Sequence, residues 1–351
     1  MRVLITGGAG FIGSHLAEAL LGAGHHVIVL DDLSTGQFEN ISHLEAQERF
    51  AWVPGSVTDD CLVSPLIHRA DVVYHLAAAV GVRLVVEAPI HTIDTNVRGT
   101  DVVLRHARDR GTQVVVVSTS EVYGKQARLP FREDDDLVLG PPDRCRWGYA
   151  ASKVIDEFMA LAYWKEHRLP TTVVRLFNTV GPRQSSQYGM VLPNFVRNAL
   201  ANQPLMVHGD GSQTRCFTWV GDVVAALTSL VGEPRAFGHV FNIGNDHEVS
   251  IRDLAHMVTA TVGSTSEIRF IPYSAVFDSQ FEDTPRRVPD ISKIHALTGF
   301  RPQIQLPEII TRTVAYWKES RAAVAPAMRV VPPGAASVDA VRPQALGVAA
   351  L

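Results

Sequence analysis

Tyr149 and Lys153 stand four residues apart in the segment YAASK, which places them one turn apart on the same face of a helix. A free tyrosine titrates near about 10 and a free lysine near about 10.4, so neither is a ready base at neutral pH. An ammonium group beside the phenol favours the phenolate and lowers the pKa of the tyrosine. The pair can therefore act as a base for an alcohol proton, although the same spacing is common on helix surfaces.

A second group of reactive side chains follows the apolar run VVVV. Thr119, Ser120 and Glu121 bring two hydroxyls and one carboxylate to a single point at the end of that run. A buried carboxylate is costly unless it has a partner or a chemical task. Glu121 is therefore either a reactive group or a residue that caps or orients a neighbouring loop.

Three glycines, Gly7, Gly10 and Gly13, lie between an apolar strand and a helix in LITGGAGFIGSHL. The first allows a tight turn, the second lets backbone amides approach a pyrophosphate, and the third permits close helix packing. The helix N-terminus then faces the phosphates of a dinucleotide. An ordinary glycine-rich turn is the alternative, which the strand, turn and helix pattern disfavours.

Asp31 ends the second apolar strand, about twenty residues after the glycines, as a dinucleotide site requires. A carboxylate at this spacing accepts hydrogen bonds from the adenosine ribose and repels a 2′-phosphate. The sequence therefore predicts NAD rather than NADP as the cofactor. A solvated strand end is the alternative interpretation of Asp31.

The apolar runs of strand length are RVLITG, HVIVLDD, DVVYHLA, QVVVVSTS and TTVVRLFN, with helical patterns between them. Continuous apolar strands separated by helices indicate βαβ units around a buried parallel sheet. We therefore predict an α/β fold of the Rossmann type, with a doubly wound parallel sheet.

The pattern of strands and helices changes after about residue 180, where a Gly-, Pro- and Ser-rich segment begins. We predict an NAD-binding domain over residues 1–180, which also contains Tyr149 and Lys153. A smaller, interleaved substrate-binding lobe follows over 181–321, from which the run HVFNIG could return to the sheet. Residues 322–351 are rich in Ala, Pro and Val with almost no charge and form a tail by composition.

The composition excludes several classes of protein. Of the 351 residues, 46% are apolar, enough for a substantial core, and the formal charge of -4 with scattered arginines gives no basic stripe for nucleic acid. No secretion signal or membrane-length apolar run is present, so no membrane contact is expected. Three cysteines at no metal-like spacing argue against a zinc site or disulfides and favour a reducing cytoplasm.

The motifs GGAGFIG, HLAA, STSEVYG, YAASK and GPRQ follow one another over residues 1 to about 320. In this combination the chain resembles the extended short-chain dehydrogenase/reductase family of nucleotide-sugar epimerases, dehydratases and decarboxylases. The resemblance implies that tightly held NAD takes a hydride from the sugar, usually at C4′, and later returns one. It also implies a triad of Thr119, Tyr149 and Lys153, in which Thr119 hydrogen-bonds the reacting hydroxyl.

The resemblance assigns further cofactor contacts at the glycine turn and at later strand ends. These are Phe11, Ile12, Asp32, Ser34, Thr35, Gly36, Val57, Leu76, Ala77, Ala78 and Asn96. Ser56 stands where members often carry an aspartate that contacts the adenine amine, and a serine can still accept that hydrogen bond. The implied nucleotide-sugar contacts are Val82, Arg83, Asn178, Arg183, Gln184, Met190, Val191, Arg215 and Arg287.

Once C4′ is a ketone, three outcomes are open, and the residues beside Thr119 should discriminate among them. The related 4,6-dehydratases carry Asp and Glu next, whereas Ser120 is no proton donor of carboxylic strength. A 4-epimerase needs only room for the keto-sugar to turn over. A UDP-glucuronate decarboxylase uses the ketone directly, because the C6′ carboxylate becomes a β-keto acid, and UDP-xylose synthases carry the Ser-Glu pair found at Ser120 and Glu121.

The segments RWGYAASK and DTPRRVPDI also resemble the decarboxylase branch. The resemblance therefore implies a UDP-glucuronate decarboxylase that makes UDP-xylose or stops at the UDP-4-keto-pentose. Tyr149 would be the base at O4′ with its pKa lowered by Lys153, while Glu121 and Ser120 would manage the carboxylate and the intermediate. The alternative is a UDP-hexose or UDP-uronate 4-epimerase, and a redox-sensing NAD-binding protein without turnover would need a broken triad.

Two helices, around residues 99–110 and 149–165, pair into a four-helix bundle in relatives of this family. The segment VIDEFMALAYW has more apolar positions than one buried stripe requires, which fits a second covered face. We therefore expect a homodimer.

Overall fold

The computed structural model describes residues 1–81, 85, 87–186, 190–273, 282 and 284–324, with only the backbone for 320–324. The predicted substrate contacts Val82 and Arg83 lie outside the described residues. So does most of the expected tail, of which residues 322–324 end the last helix.

Seven strands form the central sheet: β1 (Arg2–Thr6), β2 (His26–Asp31), β3 (Phe50–Pro54), β4 (Val72–His75), β5 (Gln113–Thr119), β6 (Thr171–Leu176) and β11 (His239–Ile243). Their order is β11-β6-β5-β4-β1-β2-β3, and every pair is parallel. The predicted doubly wound sheet is confirmed, and HVFNIG does return to it as β11, beside β6. The strand order reverses between β1 and β4, and ligands of such sheets bind at the carboxyl ends near that point.

Helices cover both faces of the sheet: α1 (Phe11–Gly22), α2 (Asp60–His68), α3 (Pro89–Arg110), α4 (Cys145–His167), α6 (Val220–Ser229) and α8 (Ser292–Thr298). Successive side chains of β1 enter opposite cores, because neighbouring residues of a strand point to opposite faces. Val3 and Ile5 pack in the core that contains α1 and α6. Leu4 packs in the core that contains α2, α3 and α4.

A smaller lobe stands beside the carboxyl edge of the sheet. Its helices are α5 (Val191–Leu200), α7 (Ile251–Val262) and α9 (Leu306–Val324), and its strands are β7 (Thr179–Val180), β8 (Leu205–His208), β9 (Thr214–Cys216), β10 (Thr218–Trp219), β12 (Glu248–Ser250), β13 (Ile268–Ile271) and β14 (Arg286–Arg287). These elements share their own apolar core, to which α5, α7 and α9 contribute. Within the described part of the chain, no helix is long and apolar enough to span a membrane.

A buried ion pair joins α4 to the central sheet. Arg175 of β6 donates from Nε to Glu157 Oε1 at 3.0 Å and from Nη2 to Oε2 at 2.7 Å. Ser118 near the end of β5 donates to the same carboxylate at 2.5 Å, and Arg175 also lies over the Tyr123 ring. Both charged side chains are only 5% exposed. The pair therefore fixes α4 against the strand ends that carry Thr119 and its neighbours.

Glu157→Ala should destabilise the fold strongly, because it leaves the Arg175 guanidinium buried without its anion. Removing one partner of a buried ion pair costs about 3–5 kcal/mol. Denaturant unfolding of both proteins would measure this loss. The matched control is Glu166→Ala, an exposed position on the same helix, for which a change within about 0.5 kcal/mol is expected. Equal effects of the two substitutions would contradict the role of the pair.

Candidate active site

A cavity of about 1090 Å³ lies along the carboxyl ends of the central strands and extends to the smaller lobe. This volume is at the upper end for small-molecule sites. The predicted site residues that line it are Gly7, Gly10, Phe11, Ile12, Gly13, Asp31, Asp32, Ser34, Thr35, Val57, Leu76, Ala77, Ala78, Thr119, Ser120, Glu121, Tyr149, Lys153, Asn178, Arg183, Gln184, Met190, Val191, Arg215 and Arg287. Gly36, Ser56 and Asn96 do not line it.

The glycine turn at the start of α1 has the shape of an anion site. Gly7 has a φ of +73°, and a Cβ on Gly13 would lie 2.3 Å from the Gly7 carbonyl oxygen, so neither position tolerates a side chain. Gly10 is the N-cap of α1, and neither a capping side chain nor an acidic residue occupies the first turn. The first amides of α1 are therefore directed at a ligand rather than at the protein.

Asp31 connects the glycine turn to the loop after β2 by hydrogen bonds. Its carboxylate accepts hydrogen bonds from the Ala9 amide and the Leu33 amide, each at 2.9 Å. Burial raises the pKa of Asp31, and these backbone hydrogen bonds oppose that shift. Gly36 does not line the cavity but lies close to Asp31. A Cβ added at Gly36 would be 2.8 Å from Asp31 Oδ1. Each carboxylate oxygen can still accept a second hydrogen bond from a ligand.

Asn96 and Ser56 both form hydrogen bonds within the protein, and their contacts with the cofactor stay predictions. Asn96 is buried, accepts a hydrogen bond from the Ala79 amide and donates one to the Ser152 hydroxyl on α4. It thereby ties the cavity wall after β4 to the helix that carries Tyr149. The Ser56 hydroxyl lies 2.9 Å from the Thr58 hydroxyl in a local turn.

Thr119 is the last residue of β5, and its side chain lies close to the Tyr149 hydroxyl. Burial raises the pKa of Tyr149, the Glu121 carboxylate raises it further, and the Thr119 side chain opposes both effects. Lys153 is not among the groups that shift this pKa, and its predicted lowering of the pKa stays a prediction. The lysine ammonium donates to Asp156 at 2.6 Å, which offsets part of its charge.

Glu121 lies between two arginines that come from distant parts of the chain. Arg287 of β14 donates to Oε1 at 3.0 Å, and Arg146 of α4 lies 3.3 Å from Oε2. All three side chains are mostly buried, with exposures of 19%, 12% and 10% respectively. These three side chains line the half of the cavity that is expected to hold the sugar. Such a cluster is suited to bind a second carboxylate.

The part of the cavity lined by Asn178, Thr179, Arg183 and Gln184 has strained backbone and unsatisfied polar atoms. Asn178 and Arg183 have φ values of 28° and 66°, which are uncommon for residues other than glycine and cluster at functional sites. Arg183 Nη2 pairs with Glu18 at 2.5 Å. Arg183 Nη1, Thr179 Oγ1 and Gln184 Oε1 are buried without a hydrogen-bond partner among the described residues. A polar ligand would satisfy such atoms.

Several cavity residues were missed by the sequence analysis: Gly55, Thr179, Arg197, His208, Gln213 and Tyr273. Arg197 lies on α5, and His208 ends β8 beside the Tyr273 ring, 6.2 Å away between centroids. Gly55 follows β3 of the central sheet, whereas tertiary packing of the smaller lobe brings the other positions to the cavity without any local motif. Arg146 was noted in the RWG segment, but its contact with Glu121 could not be read from the sequence.

Comparisons with known proteins agree with this arrangement. Residues 4–313 match the family described as GDP-mannose 4,6 dehydratase. The UDP-N-acetyl-alpha-D-glucosaminuronate decarboxylase of Bacillus cytotoxicus is 40% identical over 319 residues, which cover 91% of this chain and 98% of that protein. The UDP-glucuronic acid decarboxylase 1 of Danio rerio is 36% identical over 345 residues, covering 98% of this chain and 79% of its own length.

A solved structure extends the comparison to bound ligands. The UDP-glucuronic acid 4-epimerase of Bacillus cereus, in complex with UDP-glucuronic acid and NAD, superposes with a TM-score of 0.81 at 29% identity. The alignment covers 91% of this chain and 100% of that one. The shared fold therefore accommodates a dinucleotide and a nucleotide sugar together.

Proposed function

We propose that this chain, which belongs to the GDP-mannose 4,6-dehydratase family, is an NAD-dependent decarboxylase of UDP-glucuronate. The observation that carries the proposal is the cluster of Glu121, Arg146 and Arg287 at the sugar end of the cavity. Two relatives whose names specify uronate decarboxylation cover most of this chain and support the same chemistry. The product is UDP-xylose, or the UDP-4-keto-pentose if C4′ is not reduced again.

The dinucleotide half of the cavity fits NAD. The turn at Gly7 and the uncapped start of α1 suit the pyrophosphate, and Asp31 suits an unphosphorylated ribose. When bound, NAD supplies a reversible hydride acceptor for C4′ of the sugar. The remaining steps depend on the side chains of the protein.

Tyr149 removes the proton from the C4′ hydroxyl while Thr119 orients that hydroxyl. The two side chains lie close together in the cavity wall, so one substrate oxygen can contact both. After decarboxylation the electron pair moves onto O4′, where the same two hydroxyls stabilise the negative charge by donating hydrogen bonds. The C6′ carboxylate carries no proton in this step, and carbon dioxide leaves as the C5′–C6′ bond breaks.

Arg287 and Arg146 hold the C6′ carboxylate before it leaves. Glu121 keeps both guanidinium groups in place, and Ser120 lines the same end of the cavity. The enolate then takes a proton at C5′ from a water molecule, which we assign to the Glu121 and Ser120 end because both side chains line the cavity there. Loss of water is disfavoured, since Ser120 offers no acid of carboxylic strength.

A UDP-uronate 4-epimerase remains the second candidate, because the superposed Bacillus cereus structure is described as a UDP-glucuronic acid 4-epimerase. Purified protein incubated with UDP-glucuronate separates the two functions. The proposal requires release of carbon dioxide and a pentose nucleotide. Intact UDP-galacturonate without carbon dioxide would identify the epimerase. A parallel incubation with UDP-N-acetylglucosaminuronate tests whether the C2′ substituent of the Bacillus cytotoxicus enzyme's sugar is accepted.

Glu121→Gln should slow carbon dioxide release by about two to four powers of ten, the range of general acid–base catalysis, while NAD affinity stays near the wild-type value. Glutamine keeps the size of the side chain but removes the charge shared by the two arginines. Carbon dioxide release and NAD titration would be measured on the same preparation. Glu45→Gln, an exposed position away from the cavity, is the control. Wild-type turnover by Glu121→Gln would leave this carboxylate a structural role only.

Asp31→Ala should narrow the preference for NAD over NADP, because the substitution removes the carboxylate that repels a 2′-phosphate. Binding constants for both cofactors would be measured by titration in wild type and variant. The affinity for NAD is expected to fall, and the ratio of the NADP affinity to the NAD affinity is expected to rise. An unchanged ratio between the two cofactors would show that Asp31 does not contact the ribose.

A second copy of the chain is proposed to cover the outer faces of α3 and α4. These helices pack against one another and expose Ile90 (83%), Ile93 (43%), Ile155 (42%) and Phe158 (68%). Four large exposed apolar side chains on one pair of helices provide a surface that a symmetric dimer would bury. This supports the homodimer expected from the sequence. The helices extend from Pro89 and from Cys145, further than the ranges predicted.

Phe158→Glu should convert the dimer into a monomer, because it places a charge at the centre of the buried surface. Sedimentation or light scattering at micromolar concentration would measure the mass. Phe270→Glu, at an apolar residue of the smaller lobe that is 49% exposed, should leave the dimer intact. A monomeric wild type would exclude the proposed pairing.

We also propose the cytoplasm as the compartment. All three cysteines are free, with Cys61 and Cys145 exposed and Cys216 buried, which supports a reducing environment.

A further inference from the structure

Asp156 is a buried carboxylate that has no role in the proposed reaction. It lies on α4 one turn after Lys153, with 0% of the residue exposed, and its Oδ2 accepts a hydrogen bond from Lys153 Nζ at 2.6 Å. Lys153 itself is 2% exposed. Asp156 Oδ1 has no hydrogen-bond partner within the described part of the chain. A buried ion pair of this kind is poor evidence for stability, so a functional explanation is required.

A chain of buried polar groups leads from Asp156 to the cofactor turn. The Thr100 hydroxyl on α3 faces the Asp156 carboxylate and favours its charged form. The same hydroxyl lies 3.0 Å from His75 Nε2, and His75 Nδ1 lies 2.8 Å from the Thr6 hydroxyl at the end of β1. This series of polar contacts ends at Thr6, beside Gly7. The series therefore has the form of a rigid support for Asp156 rather than a path to solvent.

The other charged groups around Lys153 and Tyr149 are already accounted for. Glu121 is shared by Arg146 and Arg287, and Glu157 is paired with Arg175. Burial lowers the pKa of His75 to about 3, and the nearby Lys153 charge acts in the same direction, so His75 is neutral at physiological pH. Asp156 is thus the carboxylate whose charge acts directly on the lysine.

We propose that Asp156 is a positioning residue that holds the Lys153 ammonium and cancels part of its charge, and so sets the pH at which Tyr149 acts as a base. This inference rests on the proposed function only for the assignment of Tyr149 as the base. Burial raises the pKa of Tyr149 most and Glu121 next, and the Asp156 carboxylate adds to the shift. The geometry and the charge effect therefore point to the same role.

The direction of the effect follows from the charges. Removing the negative charge of Asp156 leaves the Lys153 ammonium free to act on the phenol, which favours the phenolate. The pKa of Tyr149 should therefore fall in Asp156→Asn. The acid limb of the pH–rate profile, which reports ionisation of Tyr149, should then move to lower pH.

The test titrates Tyr149 in the NAD-saturated protein without sugar, using tyrosine labelled with ¹³C at Cζ. The chain has seven tyrosines, so the Tyr149→Phe protein identifies the signal that belongs to Tyr149. Asp156→Asn should lower the midpoint of that signal by about one pH unit, the size expected of a nearby charge at protein-like dielectric. This measurement is independent of which sugar the enzyme uses.

The acid limb of kcat/KM for carbon dioxide release should shift by the same amount as the titration. A merely structural role would lower the rate equally at every pH. Asp156→Glu, which keeps the charge, should restore the wild-type midpoint. Glu166→Gln removes one negative charge from an exposed position on the same helix, about 25 Å from Tyr149 along the helix axis, and should leave the midpoint unchanged.

Thermal unfolding establishes that each variant is folded, and Asp156→Ser replaces Asp156→Asn if the latter is not. A midpoint that is unchanged or moves upward in a folded variant without the charge overturns the proposal. A Tyr149 signal that does not titrate in any of the proteins would remove Tyr149 as the base, and the role of Asp156 with it. A normal titration without carbon dioxide release from wild type would instead contradict the decarboxylase while leaving the role of Asp156 intact.

Discussion

The sharing of the Glu121 carboxylate by Arg146 and Arg287 is the interaction on which the sugar end of the site depends. It joins the end of β5, the start of α4 and the short strand β14, which are far apart in the sequence. A buried carboxylate without these partners would be costly, and two buried guanidinium groups without it would repel each other. In the proposed function, these two guanidinium groups give the cavity its preference for an acidic sugar, because guanidinium groups pair well with carboxylates.

The framework beneath this cluster is the carboxyl edge of the parallel sheet. The Glu157–Arg175 pair holds α4 against β5 and β6, so Tyr149 and Arg146 keep a fixed distance from Thr119 and Glu121. The cofactor turn uses the same edge, where Gly7 and Asp31 follow β1 and β2. In the proposed function, one rigid surface therefore positions the hydride acceptor, the base and the carboxylate-binding arginines together, which is the preorganisation that catalysis requires.

The fold and the cofactor turn could be predicted because their signals are local: continuous apolar strands, the glycine spacing and Asp31 at a strand end. The Glu121 cluster and the Lys153–Asp156 pair could not. Arg287 is brought to Glu121 by packing of the smaller lobe, and nothing in the sequence indicates that the ammonium of Lys153 is taken by Asp156. The hydrogen bonds of Asn96 with Ala79 and Ser152 are not indicated by the sequence either. These contacts depend on burial and on tertiary pairing, which leave no periodic pattern in the sequence.

If the charge cluster selects a sugar that carries a carboxylate, the most direct measurement is the affinity for UDP-glucuronate relative to UDP-glucose. Calorimetry with NAD-saturated Tyr149→Phe protein avoids turnover. This protein should bind UDP-glucuronate at least about tenfold more tightly, the equivalent of one good charge-assisted contact, and Arg287→Gln in the same background should abolish the preference. Equal affinities for the two sugars, or a preference that survives Arg287→Gln, would contradict the role of the cluster.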